Sequence, residues 1–416
     1  MKKDKLRIWL IISSNDPLIV LYLQDKFSQY ELNNNVQIQL EIVSWERVWT
    51  ALVDAFKHNT APDVIQIGTS WVRTFAYMGY LDQVPTYSEV KPSINQGINR
   101  ICYYRDKQYA VPWIADTIIM AGRSDYMSQF GISPEDVKDW RGLKQVAEEV
   151  MVQRNKNSNI PKPLSVALKL ERDTIQRFFS IMWSRGWEFP DLDSIPEEII
   201  MDSDVLDTIK YFAKLKIICD TPEDSDKHPY QINEDFYIHG QSIFYIGSWY
   251  GIVSRINSKK QNDPYIKNYS VLPFPTSVDK SYSYGGGTVL AVSSSSNQKE
   301  QAWKLVQFLS SEDFMEDWIK ISNSVPAFDS TFWQKRFNDQ RIEVMYQQTV
   351  NSRVYPPHPA WLAVEYEIIK GVGLTLLDFI KKQNTEIDSD TYALLKKSDK
   401  KIRSLLEMSR GMRSDA

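Results

Sequence analysis

The sequence contains too little cysteine to build a disulfide framework. Its two cysteines, Cys102 and Cys219, form no CxxC motif, so their spacing predicts no disulfide and leaves the redox compartment open. Neither lies near the amino terminus, where a lipid anchor would attach. Histidines are also few, and they lack the spacing of metal ligands: His58, His228, His239 and His358. We therefore expect no metal ion and no cofactor.

Long apolar runs and an excess of charge of one sign are missing as well. Runs such as 18–23 are far shorter than the roughly 20 residues that cross a bilayer. Lysine and arginine number 49 against 53 aspartates and glutamates, and the net charge of -4 offers no attraction to polyanions. This balance predicts no nucleic-acid partner. The length of 416 residues, with 43% hydrophobic residues, favours a globular chain with two α/β lobes.

The first twelve residues begin with basic side chains and continue into a short apolar run. They lack the small-residue cleavage site of a signal peptide, and residues 13–17 are typical of the end of a strand. We interpret the stretch as the first strand. A secreted precursor would then need a leader upstream, which is absent from this sequence. We therefore expect either that the leader has been removed or that the protein is not exported by that route.

Hydrophobic periodicity predicts alternating strands and helices in the first quarter of the chain. The expected strands are 6–12, 36–43 and 64–67, and the expected helices are 18–30 and 45–58, the second capped by Ser44. Such alternation favours a parallel sheet with right-handed crossovers. Residues 108–116 then lead to a further strand-like run at 117–121, where we expect the chain to change lobe.

The turn after the third strand has the composition of a binding edge. Gly68 ends the strand, and Thr69 or Ser70 is a candidate cap for a helix that begins near Trp71. Open α/β sheets bind ligands beyond the carboxyl ends of their strands. The turn combines an indole with hydroxyl groups at such a position.

The rest of the chain predicts a second lobe with many helices. Apolar stripes indicate helices at 142–154, 173–185 and 204–216, and an amphipathic helix at 391–408. Residues 241–250 repeat the order of apolar strand, glycine and tryptophan, with Trp249 in the place of Trp71. Gly285, Gly286 and Gly287 lead into another strand.

Several short motifs, in this order, together point to one family. They are Pro62-Asp63-Val64, Trp71, Phe75-Ala76, Gly79-Tyr80-Leu81, Tyr109-Ala110-Val111-Pro112, Phe236, Gly240, Ile246-Gly247-Ser248-Trp249, Leu272-Pro273-Phe274-Pro275, Gly285-Gly286-Gly287, Ala302-Trp303, Phe308-Leu309 and Val325-Pro326-Ala327. With them the chain resembles the extracellular solute-binding proteins of ABC importers, specifically the sugar-binding group that is similar to maltose-binding protein.

The resemblance implies a two-lobed periplasmic-binding-protein fold. Each lobe would be a mostly parallel sheet flanked by helices, with lobe one at 1–113 and 285–325 and lobe two at 114–284 and 326–416. A mono- or oligosaccharide would bind between the lobes, close them about strands near Pro112 and Tyr284, and pass to a membrane-embedded ABC permease. The protein would act as a monomer outside the cytoplasm.

A sugar site needs flat aromatic rings for stacking and short polar groups for hydroxyls. Trp71, Trp249 and Trp361 are the candidates for stacking, with Trp45 and Trp113 behind them. A tryptophan in an apolar stripe can equally be a core residue. That alternative stays open for Trp71 and is favoured for Trp45 and for Trp49, while the family position favours ligand contact for Trp249.

Asp116 is the preferred carboxylate for hydroxyl recognition, because ionised acceptors make the stronger hydrogen bonds, although an aspartate after a strand can also be a cap. Ser14, Asn15, Ser70 and Arg353 are further candidates. Gly286 would allow the backbone to approach the ligand closely.

The sequence carries no motif of an enzyme: HExxH, GxSxG, GxxxxGK and GxGxxG are all missing. We therefore expect a binding protein without catalysis. Two alternatives stay open: a ligand sensor for a membrane receptor, and a glycoside-acting enzyme whose paired carboxylates sequence alone does not reveal.

Overall fold

The computed structural model describes residues 4–12, 17–166, 168–219, 238–251, 269–322, 324–336 and 339–414. Two candidate site residues, Ser14 and Asn15, lie outside the described residues, as do His228 and Phe236.

Strands and helices alternate through the first part of the chain, and helices dominate the last part. The strands are β1 (Asp4–Ile11), β2 (Val36–Val43), β3 (Val64–Gly68), β4 (Tyr103–Tyr104), β5 (Lys107–Gln108), β6 (Val111–Arg123), β7 (Lys162–Val166), β8 (Ser242–Ser248), β9 (Tyr269–Leu272), β10 (Gly285–Val292) and β11 (Val325–Pro326). The α-helices are α1 (Pro17–Asn34), α2 (Trp45–Lys57), α3 (Val72–Tyr77), α4 (Gln96–Ile101), α5 (Ser124–Phe130), α6 (Trp140–Arg154), α7 (Arg172–Ser184), α8 (Ser203–Cys219), α9 (Lys299–Leu309), α10 (Glu312–Ser322), α11 (Thr331–Arg336), α12 (Gln340–Asn351), α13 (Trp361–Ile368), α14 (Leu374–Lys382) and α15 (Ser389–Ser414). Short 3-10 helices cover Thr69–Trp71 and Pro134–Val137, and a π-helical turn, Ile369–Gly373, joins α13 to α14.

The first compact unit consists of Met1–Asp116 and Gly286–Lys335. Its sheet has the order β2-β1-β3-β10, in which β1 is parallel to β2 and β3, and β10 is antiparallel to β3. The parallel arrangement predicted for the first three strands is confirmed. β10 comes from a distant part of the chain, so local alternation of strand and helix could not reveal its direction.

Apolar side chains of β1 and of three helices form the core of this unit. Leu6, Ile8 and Leu10 alternate along β1 and are fully buried, as expected for one face of a strand. Leu23 and Phe27 of α1 recur at a spacing of four residues and pack into the same cluster, together with residues of α9 and α10.

The second compact unit consists of Thr117–Gly285 and Arg336–Ala416. Here β7 is parallel to β8, whereas β6 is antiparallel to both β8 and β9. The predicted apolar stripes of α6, α7 and α8 are buried in one large core. Asp399 of α15 is buried, and its Oδ1 accepts the backbone N–H groups of Ile199 and Ile200 at 2.8 Å each.

The lobe boundaries expected from the sequence, 113/114, 284/285 and 325/326, stay a prediction. The two compact units change over after Asp116, after Gly285 and after Lys335. Residues 325–328 lie with the first unit, because Val325 and Pro326 pair with Ala115 and Ile114 of β6, and Phe328 bridges to Ser93.

The two cysteines lie one in each unit, Cys102 in the first and Cys219 in the second, and they form no disulfide. Both are fully buried, and burial raises the pKa of Cys102 to about 12. Within the described ranges, none of the helices combines the length and the apolarity that a membrane span requires.

Candidate functional site

In the first unit, two tryptophans lie just beyond the carboxyl ends of β2 and β3, the two strands that flank β1. Trp45 begins α2 after β2, and Trp71 follows the turn after β3. Trp71 is 2% exposed, while Trp45 is 41% exposed and contacts it edge-on. A core role for Trp45, which the helical pattern favoured, is therefore wrong, because the first turn of α2 extends beyond the apolar face that Val48 and Leu52 bury.

An aromatic row continues inward from this pair. Trp49 contacts Trp71 at 5.3 Å between ring centroids and stacks on Phe75 at 5.2 Å. Trp71 thus lies between the exposed ring of Trp45 and the packed rings of Trp49 and Phe75. The indole of Trp71 therefore supports Trp45 even if no ligand contacts Trp71 itself.

The candidate caps at the turn after β3 do not act as caps. The 3-10 helix Thr69–Trp71 begins after Gly68, α3 has Trp71 at its N-cap position, and neither helix receives a side-chain cap hydrogen bond. Ser44 does occupy the N-cap position of α2, but its side chain makes no cap hydrogen bond either. The hydroxyl of Ser70, which is partly exposed, is not used to cap a helix.

The strand ends of this edge are tied together by a buried glutamine. Gln66 lies in β3, where its Oε1 accepts the N–H of Ile11 at 2.7 Å and its Nε2 donates to Thr288 Oγ1 at 2.9 Å. One side chain therefore links both neighbours of β3, namely β1 and β10. This link fixes the positions of β1 and β10 along the direction of β3, whose carboxyl end leads into the candidate binding turn.

The glycines at the start of β10 approach the backbone of β6 closely. Gly287 has φ +115°, and a Cβ at this position would lie 2.0 Å from the carbonyl oxygen of Ile114 and 3.0 Å from the amide nitrogen of Asp116. Gly286 is buried, and Asp116 is partly exposed. Only a residue without a side chain fits here, so backbone N–H and C=O groups form the surface around Gly287.

Trp113 and Trp361, both candidates for stacking, belong to the cores. Trp113 stacks on Trp318 at 5.7 Å, and its Nε1 donates to the Leu309 carbonyl oxygen at 2.9 Å. Trp361 packs at 4.6 Å from Tyr355 and at 5.4 Å from Phe189 in the second unit. The rings around both indoles account for their burial.

In the second unit, Trp249 lies just beyond the carboxyl end of β8. It is 4% exposed, and its Nε1 has no hydrogen-bond partner among the residues that the structure describes. Ser248 Oγ accepts the N–H of Gly251 at 3.0 Å and so closes the turn that carries the indole. A buried N–H donor without an acceptor costs free energy, and a ligand oxygen would remove that cost.

Arg353 lies beside the strand that leads into the glycines. Its guanidinium packs 4.2 Å from the centre of the Tyr282 ring and forms an ion pair with Glu188. Its backbone accepts the N–H of Gly285 at 2.7 Å and donates to Ser283 at 2.8 Å. Arg353 therefore offers a partly exposed cation on a backbone that is firmly held.

The sequence interpretation missed a half-buried acid and a buried arginine at the start of α7. Burial, together with the charge of Asp173, raises the pKa of Glu171 to about 7, although Arg177 and Lys169 oppose the shift. Arg177 is 1% exposed. The signal that could have found them is the apolar face of α7, which a charged residue at position 177 interrupts.

The electrostatics of Glu365 follow the same pattern. Glu365 is fully buried and accepts a hydrogen bond from Arg172 Nε at 2.9 Å. Burial raises the pKa of Glu365, and Arg172 lowers it in part.

Across the described ranges, no three or more histidine, cysteine, aspartate or glutamate side chains come together as a metal site would require.

Comparison with known proteins decides the family. The model of the family described as bacterial extracellular solute-binding protein matches residues 26–339. The chain belongs to this family. Membership places this solute-binding protein outside the cytoplasm.

Individual relatives are distant in sequence and similar in fold. The diacetylchitobiose binding protein DasA of Streptomyces coelicolor is 21% identical over 369 residues, which cover 87% of this chain and 82% of DasA. The solute-binding protein of an ABC transporter from Thermotoga lettingae, bound with α-D-tagatose, is 18% identical with a TM-score of 0.80, covering 97% of this chain and 100% of that one. An ABC substrate-binding protein of Listeria monocytogenes, in complex with cycloalternan, is 15% identical with a TM-score of 0.77, covering 98% and 100%. These likenesses confirm the predicted α/β periplasmic-binding-protein fold.

Proposed function

We propose that this solute-binding protein captures a carbohydrate and delivers it to a membrane-embedded ABC permease. The relatives support the ligand class, because DasA is named for diacetylchitobiose and the two structures hold tagatose and cycloalternan. The protein acts as a monomer and releases the sugar unchanged.

The observation that carries this proposal is the pair of tryptophans at strand ends. Trp45 of the first unit keeps 41% of its surface exposed on a packed aromatic row, and Trp249 of the second unit holds a buried N–H without an acceptor. A sugar offers what each lacks, namely apolar C–H faces for a ring and oxygen atoms for a donor.

Further polar groups complete the proposed site. Ser70, Asp116 and the backbone of Gly286 would serve hydroxyl groups in the first unit, and Arg353 in the second. Trp71 would support Trp45 from beneath, while Trp113 and Trp361 would stabilise the cores without contacting the ligand. Ser14 and Asn15 follow β1 in sequence and stay predictions.

Thermal-shift screening against mono- and oligosaccharides tests the proposal. A ligand that binds only the native state raises the melting temperature by mass action. At least one saccharide should therefore raise the melting temperature of the protein, and the increase should grow with the logarithm of the saccharide concentration. Chromatography of the recovered sugar should show it intact. The proposal would be rejected if no saccharide bound, or if the pure protein hydrolysed one.

A further inference from the structure

Arg177 of α7 is a buried cation with very little neutralisation. It is 1% exposed, and its Nε donates to the carbonyl oxygen of Ile246 at 3.2 Å. Its Nη1 is buried and has no hydrogen-bond partner among the described residues. In the part of the chain that the structure describes, no carboxylate lies within 4.0 Å of this guanidinium. A buried charge is costly unless it is paired.

Another buried arginine of the same unit shows the usual solution. Arg123 is also 1% exposed, and its Nε donates to Asp125 Oδ1 at 2.9 Å in a two-pronged ion pair. Such bidentate pairing with a carboxylate neutralises the charge of the guanidinium. Arg177 has the same burial and lacks that partner.

The charged groups around Arg177 do not supply a full counter-ion. Glu171 is the acid that Arg177 influences electrostatically, but the pKa of Glu171 is raised to about 7, so much of it is protonated near neutral pH. Lys169 adds a positive charge on the same loop, and Asp173 acts on Glu171 from the first turn of α7. From α8, Lys216 contributes a further buried cation, whose Nζ donates to the Val166 carbonyl oxygen at 3.1 Å.

These groups meet at one edge of the second unit's sheet. Val166 and Ile246, whose carbonyl oxygens accept from Lys216 and Arg177, are partners in the parallel register of β7 and β8 near the carboxyl ends of both strands. Three residues further on, Trp249 holds its own unpartnered buried donor. The ligand-binding edge of an α/β sheet is therefore positively charged and rich in donors here.

We propose that the carbohydrate captured by this protein carries an anionic substituent, such as a uronate carboxylate, which pairs with Arg177. This inference rests on the proposed function and narrows its ligand class. The anion accepts from Nη1 of Arg177, and an oxygen of the same sugar accepts from Nε1 of Trp249. A neutral sugar would leave the guanidinium unpaired.

Calorimetric titration with matched ligands tests the inference. The probes are disaccharides that contain glucuronate or galacturonate, each beside its methyl ester, and a sulfated disaccharide that separates carboxylate from sulfate as the source of charge. We expect an acidic member to bind roughly tenfold to a hundredfold more tightly than its uncharged counterpart. Arg177→Met should abolish this preference.

The melting temperature of the ligand-free variants separates a ligand role from a structural one. Arg177→Met removes an unpaired buried charge, so we expect its melting temperature to equal or exceed that of the wild type. Arg123→Met is the matched control: it leaves Asp125 without its cation, and should lower the melting temperature while keeping the preference for the acidic sugar.

Three results would overturn the inference. If neutral and acidic sugars bind equally, the charge preference is wrong and the proposed function stands. If Arg177→Met lowers the melting temperature and keeps the preference, Arg177 is a structural residue. If no saccharide of either kind binds, the proposed function itself fails.

Discussion

The indole rings of Trp45 and Trp71 meet edge-on, with centroids 5.9 Å apart and planes at 81°. One ring is largely exposed and the other is buried, so the pair links the surface of the first unit to its packed interior. Aromatic pairs in this geometry contribute about 0.5–1.5 kcal/mol beyond their buried area. The contact holds the exposed ring in one orientation, which favours stacking on a flat ligand.

Truncation of this exposed ring should affect binding more than stability. We expect Trp45→Ala to weaken saccharide binding roughly fivefold to twentyfold, since one stacking contact is lost, and to change the free energy of unfolding by about 1 kcal/mol. Titration calorimetry and denaturant unfolding measure the two effects. Tyr87→Ala, which removes a ring that is 62% exposed in the same unit, should leave affinity unchanged. Equal affinities for the wild type, Trp45→Ala and Tyr87→Ala would exclude Trp45 from the site.

The N–H group of Trp249 can be tested apart from its ring. Trp249→Phe should weaken saccharide binding about fivefold to tenfold, because one hydrogen bond to the ligand is worth about 1 kcal/mol. Trp113→Phe is the control, since its Nε1 donates within the core to Leu309. The control should keep its affinity and lose more thermal stability than Trp249→Phe. A drop in melting temperature without loss of affinity in Trp249→Phe would identify Trp249 as a core residue.

Glu171 should make stability depend on pH. Its pKa rises from 4.5 to about 7 on folding, so between these values the folded protein holds a proton that the unfolded chain releases. The free energy of unfolding should therefore fall as the pH rises from 4.5 to 7, by on the order of 2 kcal/mol from this group. Denaturant unfolding at pH 4.5 and 7.5 measures the change. The free energy of unfolding should fall less in Glu171→Gln than in the wild type. An identical fall in both proteins would contradict the raised pKa of Glu171.

The close approach at Gly287 should tolerate no side chain. Gly287→Ala places a Cβ 2.0 Å from the Ile114 carbonyl oxygen at a φ of +115°, so we expect a loss of about 3 kcal/mol or more in the free energy of unfolding. Gly79→Ala has φ +72° with nothing within 4 Å, and should cost about 1–2 kcal/mol from backbone strain alone. Equal losses would mean that β6 and β10 separate freely.

The sequence predicted the elements of the fold well where local patterns determine them. β2 was predicted at 36–43 and observed at Val36–Val43, and α6 and α7 begin within two residues of their predicted starts. Periodicity of apolar residues is a local property and specifies such elements. The antiparallel direction of β10 and the unbroken length of β6 depend on pairing between distant segments, which no local pattern encodes.

The chemistry of the candidate site was harder to predict. A tryptophan at the start of a helix has the same sequence pattern whether it is exposed, as Trp45 is, or packed, as Trp361 is. Burial depends on which distant rings surround it. The uncompensated charge of Arg177 is likewise a tertiary property, since it arises because no carboxylate among the described residues lies close to it in three dimensions.

The placement of the two thiols has a practical consequence. Because Cys102 is buried in the first unit and Cys219 in the second, a thiol reagent can reach each sulfur only when its own unit opens. The rate of alkylation of each cysteine, followed by mass spectrometry, thus measures separately how often each unit opens. A ligand that slows the alkylation of only one cysteine would show which unit it stabilises more.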